Sequence, residues 1–141
     1  MITLKHFTTE DAYLLGTRMR AEALENKLPI VIDIRSGDTP MFAVMLPGAG
    51  PANFDWARRK RNLTLLTGED TWTLSQKRAN GEDLIELMGL EPRDYASHGG
   101  CVPIHVEGVG LVATVTVSGL PQKEDHDFAI KHLSALASEQ N

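Results

Sequence analysis

The sequence holds one cysteine, Cys101, in 141 residues. A single thiol excludes an internal disulfide and every multi-cysteine zinc site, and it suits a reducing compartment. Positive charge is also scarce. Fourteen lysines and arginines stand against 19 acidic side chains, giving a formal net charge of -5, the wrong sign for a general nucleic-acid or anionic-membrane binder. No apolar run approaches the ~20 residues of a membrane span. Met1 to Glu10 lacks the apolar stretch and small-residue cleavage site of a signal peptide. The expectation is a soluble, cytoplasmic protein with neither a nucleic-acid nor a membrane partner.

Local catalytic signatures are missing as well. There is no Walker loop, no HExxH, no paired CxxC and no GxSxG elbow. Gly48-Ala49-Gly50 opens like a dinucleotide fingerprint, but Asn53 stands where the third glycine would fall and Pro51 intervenes. These absences remove the enzyme classes that local sequence reveals, not catalysis itself. No metal site is indicated.

What is present is a globular balance, 42% apolar and 23% charged. A chain of this length fits one domain, residues 1–141, and buries roughly two thirds of its unfolded surface. Thr8 or Thr9 can cap a first helix, with Leu14, Leu15, Met19, Ala23 and Leu24 as its apolar stripe and Pro29 closing it. The β-branched run Ile30–Ile34 and the segment Met41–Leu46 predict two strands joined through Ser36-Gly37-Asp38-Thr39 as a hairpin. Asp33 interrupts the first strand with a charge and should face solvent or a partner group. After the Pro47–Pro51 loop, Asn53 or Asp55 starts a helix that reaches about Leu66 and ends or bends at Gly68. Further helix is expected at Asp70–Ala79 and a short piece at Glu82–Met88.

Cys101–Val106 and Val109–Val117 predict a second strand pair, with Thr114-Val115-Thr116-Val117 alternating between a buried and a more polar face. Pro121 suits the first turn of a last helix, whose stripe is Ile130, Leu133, Leu136 and Ala137. The order helix, two strands, helices, two strands, helix describes an α+β single domain. Its sheet is largely antiparallel, with helices on both faces.

Three segments carry chemistry. In Arg58-Arg59-Lys60-Arg61, helical geometry puts Lys60 beside Trp56 and Leu63, with Arg59 flanking that sector and Arg58 and Arg61 pointing roughly opposite. A basic run is ordinarily a solvated face with snorkelling stems. Arg59 and Lys60 near a tryptophan packing face instead call for an anionic partner, a ligand's or a neighbouring subunit's. In His98-Gly99-Gly100-Cys101, the two glycines permit positive φ and close backbone approach; a tight strand entry would use them equally well. Cys101 reads as a small buried residue. Asp125 and His126, on the first turns of the last helix, extend its inward side. They either tie down the corner after Ser118 or line a cleft where proton transfer or iron ligation is open to them.

Together these segments resemble the HbpS-like haem-degrading family, related to GlcG and the C-terminal domain of PduO, and within it a branch of small stand-alone proteins. The resemblance rests on Ile32-Asp33-Ile34-Arg35, Asp55-Trp56-Ala57-Arg58-Arg59-Lys60, Asp94-Tyr95-Ala96-Ser97-His98-Gly99-Gly100, and Val117-Ser118-Gly119-Leu120-Pro121-Gln122 with Asp125-His126. It departs at Cys101-Val102, where relatives usually carry a Ser-Phe pair. It implies a homo-oligomer that binds a small anionic ligand, with haem or another anionic tetrapyrrole as the leading ligand and haem as the only cofactor suggested. The ligand-binding candidates are Trp56, Arg59, Lys60, His98, Gly99, Gly100, Ser118 and His126, and the catalytic candidates are Asp125 and His126. The alternatives are a haem-degrading or acid–base enzyme, and a non-catalytic oligomeric module that binds a partner.

Overall fold

Thr8 starts the first helix. In the computed structural model, which describes residues 1–140, its hydroxyl accepts from the Asp11 N–H at 3.1 Å and Asp11 Oδ2 accepts from the Thr8 N–H at 2.7 Å. This reciprocal cap satisfies two donors that the first turn leaves free. α1 (Thr9–Glu25) ends at Asn26, before Pro29 is reached. Lys27 takes the left-handed conformation (φ 54°), and the Leu28 N–H donates to Ala23 O at 2.9 Å. That closure supersedes the proline stop. The stripe is narrower than expected: Leu15, Met19 and Ala23 are buried, whereas Leu14 and Leu24 are exposed.

The hairpin forms as β2 (Val31–Ser36) and β3 (Thr39–Met45). Pro40 is tolerated in β3 because that strand lies at the sheet edge, beside a register shift after Ile34. α2 (Pro51–Thr67) begins earlier than predicted. Its Asn53 Oδ1 accepts the Gly50 N–H at 3.0 Å, and Gly68 closes the helix in the left-handed region. α3 (Thr71–Ala79) is capped by Asp70, and α4 is a single turn (Leu84–Leu87). β4 (Cys101–Val106) and β5 (Gly110–Ser118) form the second pair, and α5 (Gln122–Glu139) completes the chain. A short strand that local pattern did not reveal, β1 (Thr3–Leu4), pairs parallel with β4. It is too brief to show periodicity.

The five strands lie in the order β1-β4-β5-β2-β3, and all pairings except β1–β4 are antiparallel. α1 and α5 cover one face over Ile30, Ile32, Ile34, Ile104, Val115 and Val117. This apolar layer supplies most of the hydrophobic stabilisation, at ~25 cal/mol per Å² removed from water.

α2 covers the other face, which is polar. Register places Asp33, Thr116 and Cys101 in one row across β2, β5 and β4. Thr114 and Thr116 are fully buried, so the face expected to be more polar is covered rather than solvated. Arg61 is buried there too, its Nη1 3.1 Å from Asp33 Oδ2. Its predicted outward orientation is corrected. The helix turns Ala57, Lys60, Arg61 and Thr64 inward because the sheet beneath offers a carboxylate, which no pattern along the helix records. Asp33 faces a partner group: Arg35 Nε donates to it at 2.9 Å.

Candidate functional site

Helical spacing puts Asn53, Trp56 and Lys60 on one side of α2. The chain turning from β5 into α5 faces them with Ser118, Gln122 and Asp125, and His98 closes the third side. The cleft between them has a volume of about 240 Å³. Lys60 is 3% and Asp125 1% exposed, and their ion pair lies at its base, with Nζ 3.3 Å from Oδ2. Lys60 Nζ also donates to Val117 O at 3.2 Å. The Leu120 N–H donates to Asp125 Oδ1 at 2.9 Å, so this carboxylate also holds the strand-to-helix corner.

Burial works against both charges. It pushes the Asp125 carboxyl up to about 6 despite Lys60 and the two backbone donors, and it holds the Lys60 ammonium below its ordinary value despite Asp125. Burial thus weakens the preference of each group for its charged form.

Gly100 makes the approach of Lys60 geometrically allowed. Its φ is 142°, and a Cβ there would lie 2.3 Å from Val117 O and 2.7 Å from Lys60 Nζ. At Gly99 a Cβ would meet Gln122 O at 2.6 Å, and the Gly99 N–H donates to Gln122 Oε1 at 3.0 Å. The two glycines thus seat the His98 segment against both Lys60 and the start of α5.

The His98 ring stands edge-on to Trp56 with centroids 5.1 Å apart, and its buried Nδ1 has no hydrogen-bond partner among the described residues. Burial, reinforced by the charges of Arg78, Lys60 and Arg59, lowers its pKa and keeps the imidazole neutral.

Two expected members lie elsewhere. Arg59 stacks its guanidinium 4.3 Å from the Trp56 ring centre and donates to Pro92 O at 2.8 Å. It lines a neighbouring cleft of about 430 Å³ with Arg78, Tyr95 and Ser97, and His98 lines both clefts. His126 opens on a different cleft of about 480 Å³, with His105, Val102, Pro103 and Ile130. Its Nδ1 is 3.7 Å from Asp70 Oδ1, and burial lowers its pKa against the pull of that carboxylate. Asp125 and His126 therefore do not form one acid–base pair: neighbours along α5 project to different walls.

Sequence reasoning passed over Asn53 and Gln122 as site residues. The signal for Asn53 was its helical alignment with Trp56 and Lys60; for Gln122 it was tertiary alone. Cys101 is fully buried, and burial raises its thiol pKa, so it is no nucleophile. Among the described residues, no group of three or more His, Cys, Asp or Glu is arranged to hold a metal ion.

A family model described as "Haem degrading protein HbpS-like" matches residues 7–134. The chain belongs to the HbpS-like family. A UPF0303 protein of Azotobacter vinelandii is 42% identical to it over 139 residues, covering 98% of this chain and 84% of the relative. The crystal structure of the Ybr137w protein superposes with a TM-score of 0.89 at 32% identity, covering 98% of this chain and 82% of that one. A PduOC–haem complex shares the fold, with a TM-score of 0.77 at 21% identity over 92% of this chain and 94% of that one. The α+β architecture of this HbpS-like chain is therefore that of its relatives, and no helix among its described residues is long and apolar enough to cross a membrane.

Proposed function

We propose that this HbpS-like protein binds a small oxygen-rich anion, of the size of a short organic acid, in the cleft over Lys60. One observation carries the reading. Both amide oxygens in the walls are occupied by backbone donors, Asn53 Oδ1 by the Gly50 N–H and Gln122 Oε1 by the Gly99 N–H. Each amide therefore presents its NH₂ group as a donor. With the Lys60 ammonium below and the flat faces of Trp56 and His98 beside them, the cleft offers hydrogen to a guest that must bring oxygen. Its volume of about 240 Å³ suits a carboxylate-bearing molecule or a single propionate, and not an enclosed macrocycle.

Titration calorimetry with glycolate tests this: the reading predicts saturable binding, weakened about tenfold in Asn53→Ala and in Gln122→Ala, as loss of one hydrogen bond to a charged group implies. A ligand present at a hundred times its Kd would add about 2.7 kcal/mol of unfolding stability. Absence of both effects across small carboxylates would defeat the reading.

The haem ligand implied by the family finds a better setting in the second cleft, and one observation favours it there. His126 Nδ1 and His105 Nδ1 are buried without hydrogen-bond partners among the described residues, beside the apolar walls of Val102, Pro103 and Ile130. Either imidazole could hold the iron, which when bound would supply redox chemistry; this chain's part would be to ligate it and exclude water. Haemin titration decides the matter. A Soret shift lost in His126→Ala but kept in His98→Ala supports this cleft, and no saturable shift removes haem altogether. Reductant-dependent loss of the bound haem would add the enzyme reading. Self-association belongs to the same proposal, with the exposed Tyr13 and Leu24 of α1 as apolar contact groups, and light scattering reads the mass.

A further inference from the structure

We propose that Lys60 forms an imine with a small 2-oxo acid held in its cleft, so that the protein captures its ligand covalently. The inference rests on the reading of this cleft as a site for small carboxylates.

The amine is well placed. Its side chain is 4% exposed, and what remains open faces the cleft. An ammonium has three hydrogens, and Val117 O and Asp125 Oδ2 take two of them. No acceptor among the described residues takes the third. Gly100, with no Cβ, leaves clearance beside Nζ that any other residue would close. The Asn53 and Gln122 amides can hold a carboxylate while the adjoining carbonyl carbon reaches the nitrogen, the positioning that makes an addition effectively unimolecular.

The proton has a carrier. Asp125 is in direct contact with Nζ, and burial raises its pKa to about 6 while lowering that of Lys60. Proton transfer from ammonium to carboxylate removes both buried charges at once and leaves a nucleophilic amine. The nitrogen lone pair then adds to the carbonyl carbon, forming the C–N bond as the C=O π bond opens. Asp125 passes its proton to the resulting oxygen, receives one from the nitrogen and returns it to the new hydroxyl. As that oxygen leaves as water, the nitrogen lone pair closes the C=N bond, and the protonated imine faces the Asp125 carboxylate. The sequence consumes no oxidant or reductant. The surface lysines lack this setting: Lys77, held by Glu69, has its pKa raised, and Lys123 is paired with Asp127 in solvent.

The test treats the folded wild-type protein with glyoxylate and cyanoborohydride and maps the reduced adduct by peptide mass spectrometry. The expected result is modification at Lys60 about tenfold faster than at Lys27 or Lys123. It should be suppressed by excess glycolate and be slowed in Asp125→Asn. Adducts spread over the surface lysines with no preference for Lys60 overturn the imine. If glycolate still binds in calorimetry, the binding reading survives that result; if it does not, both fall. Because the decisive mapping uses wild-type protein, the outcome does not depend on whether Asp125→Asn folds.

Discussion

Lys60 of α2 and Asp125 of α5 meet 3.3 Å apart in the protein interior, and a Cβ at Gly100 would crowd both, at 2.7 Å from Lys60 Nζ and 3.2 Å from Asp125 Cβ. The pair joins the two helices across the end of the sheet. Asp125 simultaneously anchors the Gly119–Leu120 backbone.

Removing one partner leaves the other charge buried and unpaired. Lys60→Met or Asp125→Leu alone should each destabilise the fold by about 3 kcal/mol or more. The double variant should lose clearly less than the sum, because it removes both charges. Chemical denaturation of the four proteins measures the coupling, and strict additivity would show that the pair does not act as a unit.

The raised pKa of Asp125 makes stability depend on pH in a defined direction. Its native value of about 6 exceeds the ordinary 3.8, so the native state keeps a proton that the unfolded chain releases. Stabilisation from this group is therefore complete below the lower value and lost as pH rises through the upper one. Asp125→Asn lacks that loss, so its stability relative to wild type should improve from about pH 4 to about pH 7. A flat difference across that range would contradict the assignment, and carboxyl NMR titration reads the pKa directly.

Gly100→Ala should cost about 2 kcal/mol or more, since alanine at φ 142° is strained and its methyl would overlap Val117 O. It should also weaken ligand binding at Lys60. Gly37→Ala, whose added Cβ meets nothing, is the control for conformation alone, and thermal unfolding compares the two.

The basic run divides by depth. Arg61→Met, which strips Asp33 of a buried partner, should destabilise by about 3 kcal/mol. Arg58→Ala, whose bridges to Asp55 and Asp94 are more than a third exposed, should change stability by ~0–1 kcal/mol. Equal effects would refute the burial-based distinction.

Much of the architecture was legible in local pattern because it rests on local physics. Thr8 and Asp11 cap a helix three residues apart, Gly68 closes another, and the Val/Ile runs of β2 and β5 announce strands. The expected ligand site grouped Trp56, Arg59, Lys60, His98, Ser118 and His126; of these, Trp56, Lys60, His98 and Ser118 line one cleft together with Asp125, and Arg59 and His126 do not. His126 sits next to Asp125 in the chain and lines another cleft, and Arg59 sits next to Lys60 and lines a third. Adjacent helical residues diverge by about 100°, so which of two neighbours enters a cleft depends on the rotation of the whole helix.

The amino-acid order by itself determined the helices, the two strand pairs, the α+β class and the family, since caps, glycines and apolar periodicity act within a few residues. Only the tertiary structure decided that Arg61 is buried, that the threonine face of β5 is covered, and that Lys60 shares its proton environment with Asp125. Those outcomes depend on which charge the opposing surface presents, and desolvation and pairing energies exist only between segments already brought into contact.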